Sequence, residues 1–129
     1  MKKRGFTLLE MIVVMGIIAF IISVATPYFA KSIKKSKAMA DVISARNIAA
    51  AIQEAILDGK SIDETTVWSR IENISFLSNY IENFSLLKPK MNNSYDFYYK
   101  YEQNKLFIGA GSEGNITTLY PDADIQNYK

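Results

Sequence analysis

The chain has neither cysteine nor histidine among its 129 residues. Without cysteine no disulfide can staple a small domain, and no thiolate is available as a nucleophile. Without histidine the commonest general base is missing, and the two absences together remove the soft ligands on which zinc sites are built. The chain is therefore read as non-enzymatic, with no cofactor expected. It also lacks internal repeats, low-complexity tracts and any separate linker. A surplus of positive charge is missing as well: the formal +2 includes Lys2, Lys3 and Arg4, and from Asp41 onward 8 basic residues face 12 acidic ones. Such a region has no counterion-release drive toward DNA, so no nucleic-acid partner is expected.

What the chain has in abundance is concentrated in its first thirty residues. Lys2, Lys3 and Arg4 precede Gly5-Phe6-Thr7-Leu8-Leu9-Glu10, and an apolar run from Met11 to Ala25, broken by nothing stronger than Ser23, leads to Thr26-Pro27. Phe6 to Phe29, at about 1.5 Å per helical residue, is long enough to cross a hydrocarbon core of roughly 30 Å with some tilt. Glu10 stands where such a segment should carry no charge. A carboxylate in hydrocarbon costs roughly 2.5–3.5 kcal/mol on insertion scales, so a segment that keeps one is expected to keep a partner for it. Two plainer readings fit the same residues. One is a secretory signal cut after Ala25, with Met11 to Ile22 as its apolar core and Ser23-Val24-Ala25 as its cleavage pattern. The other is a single-pass anchor in which Glu10 only snorkels toward the headgroups.

A basic leader, a Gly-Phe junction, Phe6-Thr7-Leu8-Leu9-Glu10 and a long apolar helix with a proline near its end resemble the N-terminus of type IV pilins and pseudopilins. The resemblance covers about the first fifty residues. It implies that residues 1–5 are a leader, that a prepilin peptidase cuts after Gly5, and that the same enzyme methylates the new amine of Phe6. It implies that Glu10 pairs, in an assembled filament, with the Phe6 amine of a neighbouring subunit. The stretch between Gly16 and Pro27 is implied to unravel on packing; a gentle kink in a continuous helix is the alternative. The implied partners are the chain itself, prepilin peptidase, an inner-membrane assembly platform with its ATPase, and membrane lipid. Counting Lys2, Lys3 and Arg4 against Lys31, Lys34, Lys35 and Lys37 slightly favours the opposite topology, but the resemblance puts the N-terminus in the cytoplasm before assembly and the subunit in a surface filament afterwards. Many Gram-negative relatives close a C-terminal loop with a disulfide, which this chain cannot do.

Helical periodicity continues beyond the apolar run. Ala38, Val42, Ala45, Ala49, Ile52 and Ile56 recur at spacings of three and four, with Asp41, Arg46, Gln53 and Asp58 elsewhere on the wheel, and Gly59 stops the pattern. One helix from Phe6 to Asp58 is expected, its first part (residues 6–30) being the transmembrane and assembly segment and its second part joining a globular head within residues 31–129. The basic cluster at Lys31 to Lys37 is read either as a lipid-headgroup contact or as a solvated helix face.

Ser61-Ile62-Asp63-Glu64 has the form of a capping box, and Val67, Ile71, Ile74, Leu77, Ile81 and Phe84 follow at helical spacing, which predicts one or two helices over Asp63 to Phe84. Trp68 widens the apolar face of that segment; it is read as core, or as an anchor for a partner. Tyr95, Phe97, Tyr99 and Tyr101 alternate with more polar neighbours and predict a half-buried strand, with Lys105 to Gly109 and Ile116 to Tyr120 beside it. Gln103-Asn104 is expected to make a two-residue hairpin, and Gly111 to Asn115 a looser one. The expected fold class is α+β: the long helix, a second helical segment, and a three-stranded antiparallel sheet laid on the helix. Asp122, Asp124 and Asn127 lack the glycine and the bidentate glutamate of a calcium loop, and are read as a solvated tail. The four Asn-x-Ser/Thr triplets at Asn73, Asn83, Asn92 and Asn115 are read as accidental.

Overall fold

The computed structural model describes residues 5–129; residues 1–4, which hold the basic part of the expected leader, lie outside the described residues. The chain divides into two compact units, Met1–Lys35 and Ser36–Lys129. The boundary falls within α1, a helix that runs from Leu8 to Leu57 without interruption at Gly16 or Pro27.

In the first unit every described side chain is exposed. The helix from Leu8 is long and apolar enough to cross a membrane. The missing amide of Pro27 leaves a carbonyl one turn back without its usual donor, and the hydroxyls nearby serve neighbouring carbonyls instead. Thr26 Oγ1 donates to the Ile22 carbonyl at 2.6 Å, and Ser23 Oγ to that of Phe20 at 2.8 Å.

In the second unit α1 buries Ala38, Asp41, Val42, Ala45, Ile48, Ala49, Ala51, Ile52 and Ala55. Small residues dominate this stripe, which lets a sheet approach closely. Ile56, expected on the stripe, is exposed. Gly59 ends the helix at φ 94°, with the Gly59 amide donating to the Ile56 carbonyl at 3.1 Å and the Lys60 amide to that of Ala55 at 3.0 Å. These are the paired bonds of a Schellman stop.

The sheet has four antiparallel strands in the order β1 (Thr65–Arg70), β2 (Asp96–Glu102), β3 (Lys105–Ser112) and β4 (Asn115–Tyr120). Three were expected. The fourth is β1, taken from the segment read as helical: Thr65-Thr66-Val67-Trp68 is β-branched and aromatic, and in a half-buried setting that composition outweighs the spacing of the apolar residues that follow. Ser61 to Glu64 therefore caps nothing. The rest of that segment forms three short 3₁₀ turns, Ile71–Asn73, Leu77–Asn79 and Phe84–Leu86. Ile71, Ile74 and Leu77 are buried at intervals of three, the repeat of a 3₁₀ turn. Asn83 at φ 56°, among serines and asparagines that compete for backbone bonds, keeps the turns from joining into an α-helix.

Core-facing pairs across β2 and β3 are Phe97↔Ala110, Tyr99↔Ile108 and Tyr101↔Leu106; the opposite face pairs Asp96↔Gly111, Tyr98↔Gly109, Lys100↔Phe107 and Glu102↔Lys105. The inner face and the α1 stripe form one apolar cluster with Ile71, Ile74, Leu77, Leu119 and Tyr128. Gln103 and Asn104, at φ 50° and 60°, make the expected two-residue hairpin, with the positive angles of a type I′ turn. The second connection is as tight as the first: Ser112 pairs with Asn115, leaving only Glu113-Gly114 in the turn.

Candidate functional site

The residues singled out at the N-terminus open α1. Thr7 precedes its first residue, and its side chain accepts the Glu10 amide at 3.2 Å, while Glu10 Oε2 accepts the Thr7 amide at 3.3 Å. This reciprocal pair is a capping box, which satisfies two of the amides a helix start leaves unpaired. A carboxylate in the first turn is also favoured by the helix dipole. Sequence reasoning placed a capping box at Ser61 and overlooked the one at Thr7, whose Thr-x-x-Glu pattern was in view. Glu10 thus has a local role: it helps start the helix and holds one carboxylate oxygen against the chain four residues from Phe6.

Phe6 is 82% exposed, and nothing approaches within 4 Å of where a side chain would begin at Gly5. The Gly5-Phe6 bond therefore lies in open chain outside any helix or strand, ahead of the capping residue. Gly16 is equally open, with nothing within 4 Å of an added Cβ. Lys31, Lys34, Lys35 and Lys37 are all exposed.

The head contains a polar centre that the sequence reading put on the wrong side of the helix. Asp41 was assigned away from the apolar stripe, yet it is fully buried. Its carboxylate accepts the Lys90 amide at 2.6 Å, the Met91 amide at 3.0 Å and the Tyr128 hydroxyl at 2.5 Å. One acid thereby ties α1 to the loop before β2 and to the tail after β4. Tyr95 reinforces the tail by donating to the Lys129 carbonyl. Burial, followed by the bond to Asp41, pushes the Tyr128 hydroxyl well above the usual tyrosine range. A signal was available, since Asp41 lies three residues after Ala38 and four before Ala45, inside the stripe rather than opposite it. No buried side-chain polar atom among the described residues lacks a partner.

Trp68 is half-buried and stands outside the core cluster, on the outer face of the sheet. In the tail, Asn127 Nδ2 donates to Asp124 Oδ2 at 2.8 Å, and among the described residues no group of three or more acids is placed to hold a metal ion.

A helix long and apolar enough to cross a membrane, opening on an exposed Gly-Phe bond and a capping glutamate and joined in sequence to a helix-on-sheet head, defines an α+β class of protein with an apolar N-terminal helix. Residues 1–26 match the family model of the prokaryotic N-terminal methylation motif. The chain is 30% identical over 69 residues to the type IV major fimbrial protein FimA of Dichelobacter nodosus, a match covering 53% of this chain and 43% of that protein. The chain thus spans less than half the length of this curated relative. No solved structure matches it. Both matches support a likeness to the type IV pilins.

Proposed function

We propose that the chain is a structural subunit of a type IV pilus-like filament, cut after Gly5 by prepilin peptidase, methylated on Phe6, and polymerised through α1. The observation that carries this reading is the methylation motif on a helix whose first thirty residues are all exposed among the described residues. Before assembly the apolar half lies in the cytoplasmic membrane with its N-terminus on the cytoplasmic side; afterwards it packs among copies of itself. An assembly platform and its ATPase supply the work. A pseudopilin of a secretion or DNA-uptake machine shares the same N-terminus and is the alternative, differing in filament length and in what the head touches.

Glu10 supplies the register. With Oε2 held on the Thr7 amide, Oε1 is left to receive the Phe6 amine of a neighbouring subunit. In a low-dielectric bundle a misregistered neighbour leaves that charge unpaired, a loss of about 3–5 kcal/mol when one partner of a buried pair is missing. Pro27 and Gly16 mark the limits within which α1 is proposed to lose helix on packing, because the hydrogen bonding there is already supplemented by Ser23 and Thr26.

Intact-mass measurement and N-terminal sequencing of the protein extracted from its native membrane test the reading. A chain beginning at N-methylated Phe6 supports it. A start at Thr26 would replace it with a secreted domain, and a start at Met1 with a plain anchor. In a processed chain, Glu10→Ala should stay in the membrane and yield no filaments; normal filaments from that variant would remove the pairing role.

A further inference from the structure

We propose that the outer face of the sheet is a binding site for a neutral saccharide, seated on Trp68 in an open trough between β1 and β4. The trough has a volume of about 680 Å³ and is lined by Trp68, Arg70, Asn73, Tyr98, Glu113 and Ile116 among others. That is within the roughly 300–1,000 Å³ of small-ligand sites. The site belongs entirely to the head and does not depend on the filament reading.

Its floor is made by missing side chains. Tyr98 faces Gly109 and Asp96 faces Gly111 across β2 and β3. A Cβ at Gly109 would stand 2.7 Å from Ile116 Cγ2 and 3.0 Å from Trp68 Cη2, so the indole reaches across β2 and settles over the bare backbone of β3. Lys100 occupies one face of that ring, with Nζ 5.4 Å from its centroid, and is not part of the trough lining. The aromatic platform is thereby fixed in orientation before any ligand arrives, which lowers the ordering cost of binding.

Charge selects the ligand class. The three cations beside the trough are matched by three acids: Arg70 and Lys88 each lie 3.7 Å from the single Asp96 carboxylate, Lys100 lies 3.7 Å from Glu102, and Glu113 adds its carboxylate to the lining. A polyanion finds no uncompensated positive patch there, and a polycation no uncompensated acid cluster. What is offered is a flat π-surface rimmed by planar hydrogen-bonding groups, the Asn73 amide, the Arg70 guanidinium and the Glu113 carboxylate. A sugar ring has one C–H-rich face for the indole and hydroxyls on its edge that both donate and accept, matching an amide, a donor fork and an acceptor pair.

Trp68 is the single tryptophan of the chain, so intrinsic fluorescence reads this site alone. The full chain in detergent micelles is titrated with the methyl glycosides of glucose, galactose and N-acetylglucosamine. At least one should shift Trp68 emission saturably, half-saturating at about 1–10 mM and unchanged by added salt. Asn73→Ala and Glu113→Ala, both at exposed positions and both leaving the probe intact, should each weaken that sugar at least about fivefold without changing the melting temperature. No saturable response to any of the three sugars would overturn the proposal. So would equal affinity in both variants, or a response confined to heparin or polylysine that fades with salt.

Discussion

From Leu8 to Lys37 helix α1 exposes every side chain, whereas from Ala38 to Ala55 it buries nine residues against the rest of the head. Both stretches lie in one uninterrupted helix, so helix propensity does not separate them. The difference lies in what covers them. The second half finds its apolar partner within the same chain, and burying a side chain such as Ile48 or Ile52 contributes about 1.5–3 kcal/mol. The first half is exposed throughout and has no such partner among the described residues; in the proposed filament, lipid or other subunits supply it. One acid from each half follows the same division: Glu10 is exposed and caps the helix start, while Asp41 is buried and holds two other segments. Stability is thus stored in the second half, and capacity for association is left open in the first.

The largest effect expected from testing this division comes from Asp41. Asp41→Ala deprives the Lys90 and Met91 amides and the Tyr128 hydroxyl of their acceptor at once. At about 1–3 kcal/mol for each buried donor left unpaired, and with some regaining water, the head should lose about 3–5 kcal/mol. Glu10→Ala should leave the head's denaturation midpoint unchanged, because among the described residues its bonds are to Thr7 at the start of the helix. Chemical denaturation followed by near-UV circular dichroism reads both. A head equally stable in both variants would break the comparison between the two acids.

A smaller effect, opposite in sign between the halves, is expected from two glycines. At Gly109 an added methyl would meet Ile116 Cγ2 at 2.7 Å and the Thr117 carbonyl at 2.8 Å, and backbone cannot yield as a side-chain tip can. Gly109→Ala should destabilise the head by about 1–3 kcal/mol. At Gly16 the added methyl meets nothing, and alanine improves helix propensity by about 1 kcal/mol. Gly16→Ala should therefore leave the head's melting temperature alone and raise the helicity of the membrane segment. If that segment must lose helix to pack, the same variant should assemble more slowly, which timed shearing of surface filaments can measure.

The division between the halves was largely legible in the sequence, because it rests on composition: charge is absent from Met11 to Ala25 and recurs on a wheel after it. The hairpin at Gln103-Asn104 and the stop at Gly59 were legible for the same kind of reason, since each needs a residue type that tolerates positive φ. The stretch from Asp63 to Phe84 was not. Its apolar residues recur every three or four positions, which suits a helix. But Ile71, Ile74 and Leu77 reach the core from 3₁₀ turns, and Thr65 to Trp68 joins the sheet through a partner more than thirty residues away. Local spacing carries no record of such pairing. Asp41 was misplaced by a related bias, in which a carboxylate is assumed to face water unless the donors that reach it are counted. The likeness of residues 1–26 to an N-terminal methylation motif was legible as a pattern of residues, while the capping bond that occupies Glu10 in the single chain emerged only with coordinates.

The smallest effect sharpens the comparison by titration. In the head, the hydroxyls of Tyr80, Tyr99 and Tyr128 all sit above the ordinary tyrosine range. The bond to Asp58 is the main cause at Tyr80, and burial is the main cause at Tyr99 and Tyr128. A tyrosine that ionises less readily in the folded state than in the unfolded one holds its proton more tightly when folded. Its contribution is present in full below the unfolded value of about 10 and is lost as the pH climbs from there toward the folded value. The head should accordingly keep its stability through neutral pH and begin to lose it above about pH 10. Tyr128→Phe removes the hydroxyl but keeps the ring, which is buried in the apolar cluster. It should lower stability by about 1 kcal/mol at neutral pH, the net worth of one hydrogen bond, and flatten the alkaline decline. Denaturant midpoints taken for both proteins from neutral pH upward decide the matter. Parallel curves would mean that the alkaline loss arises elsewhere in the head and that Asp41 holds the tail without help from the Tyr128 proton.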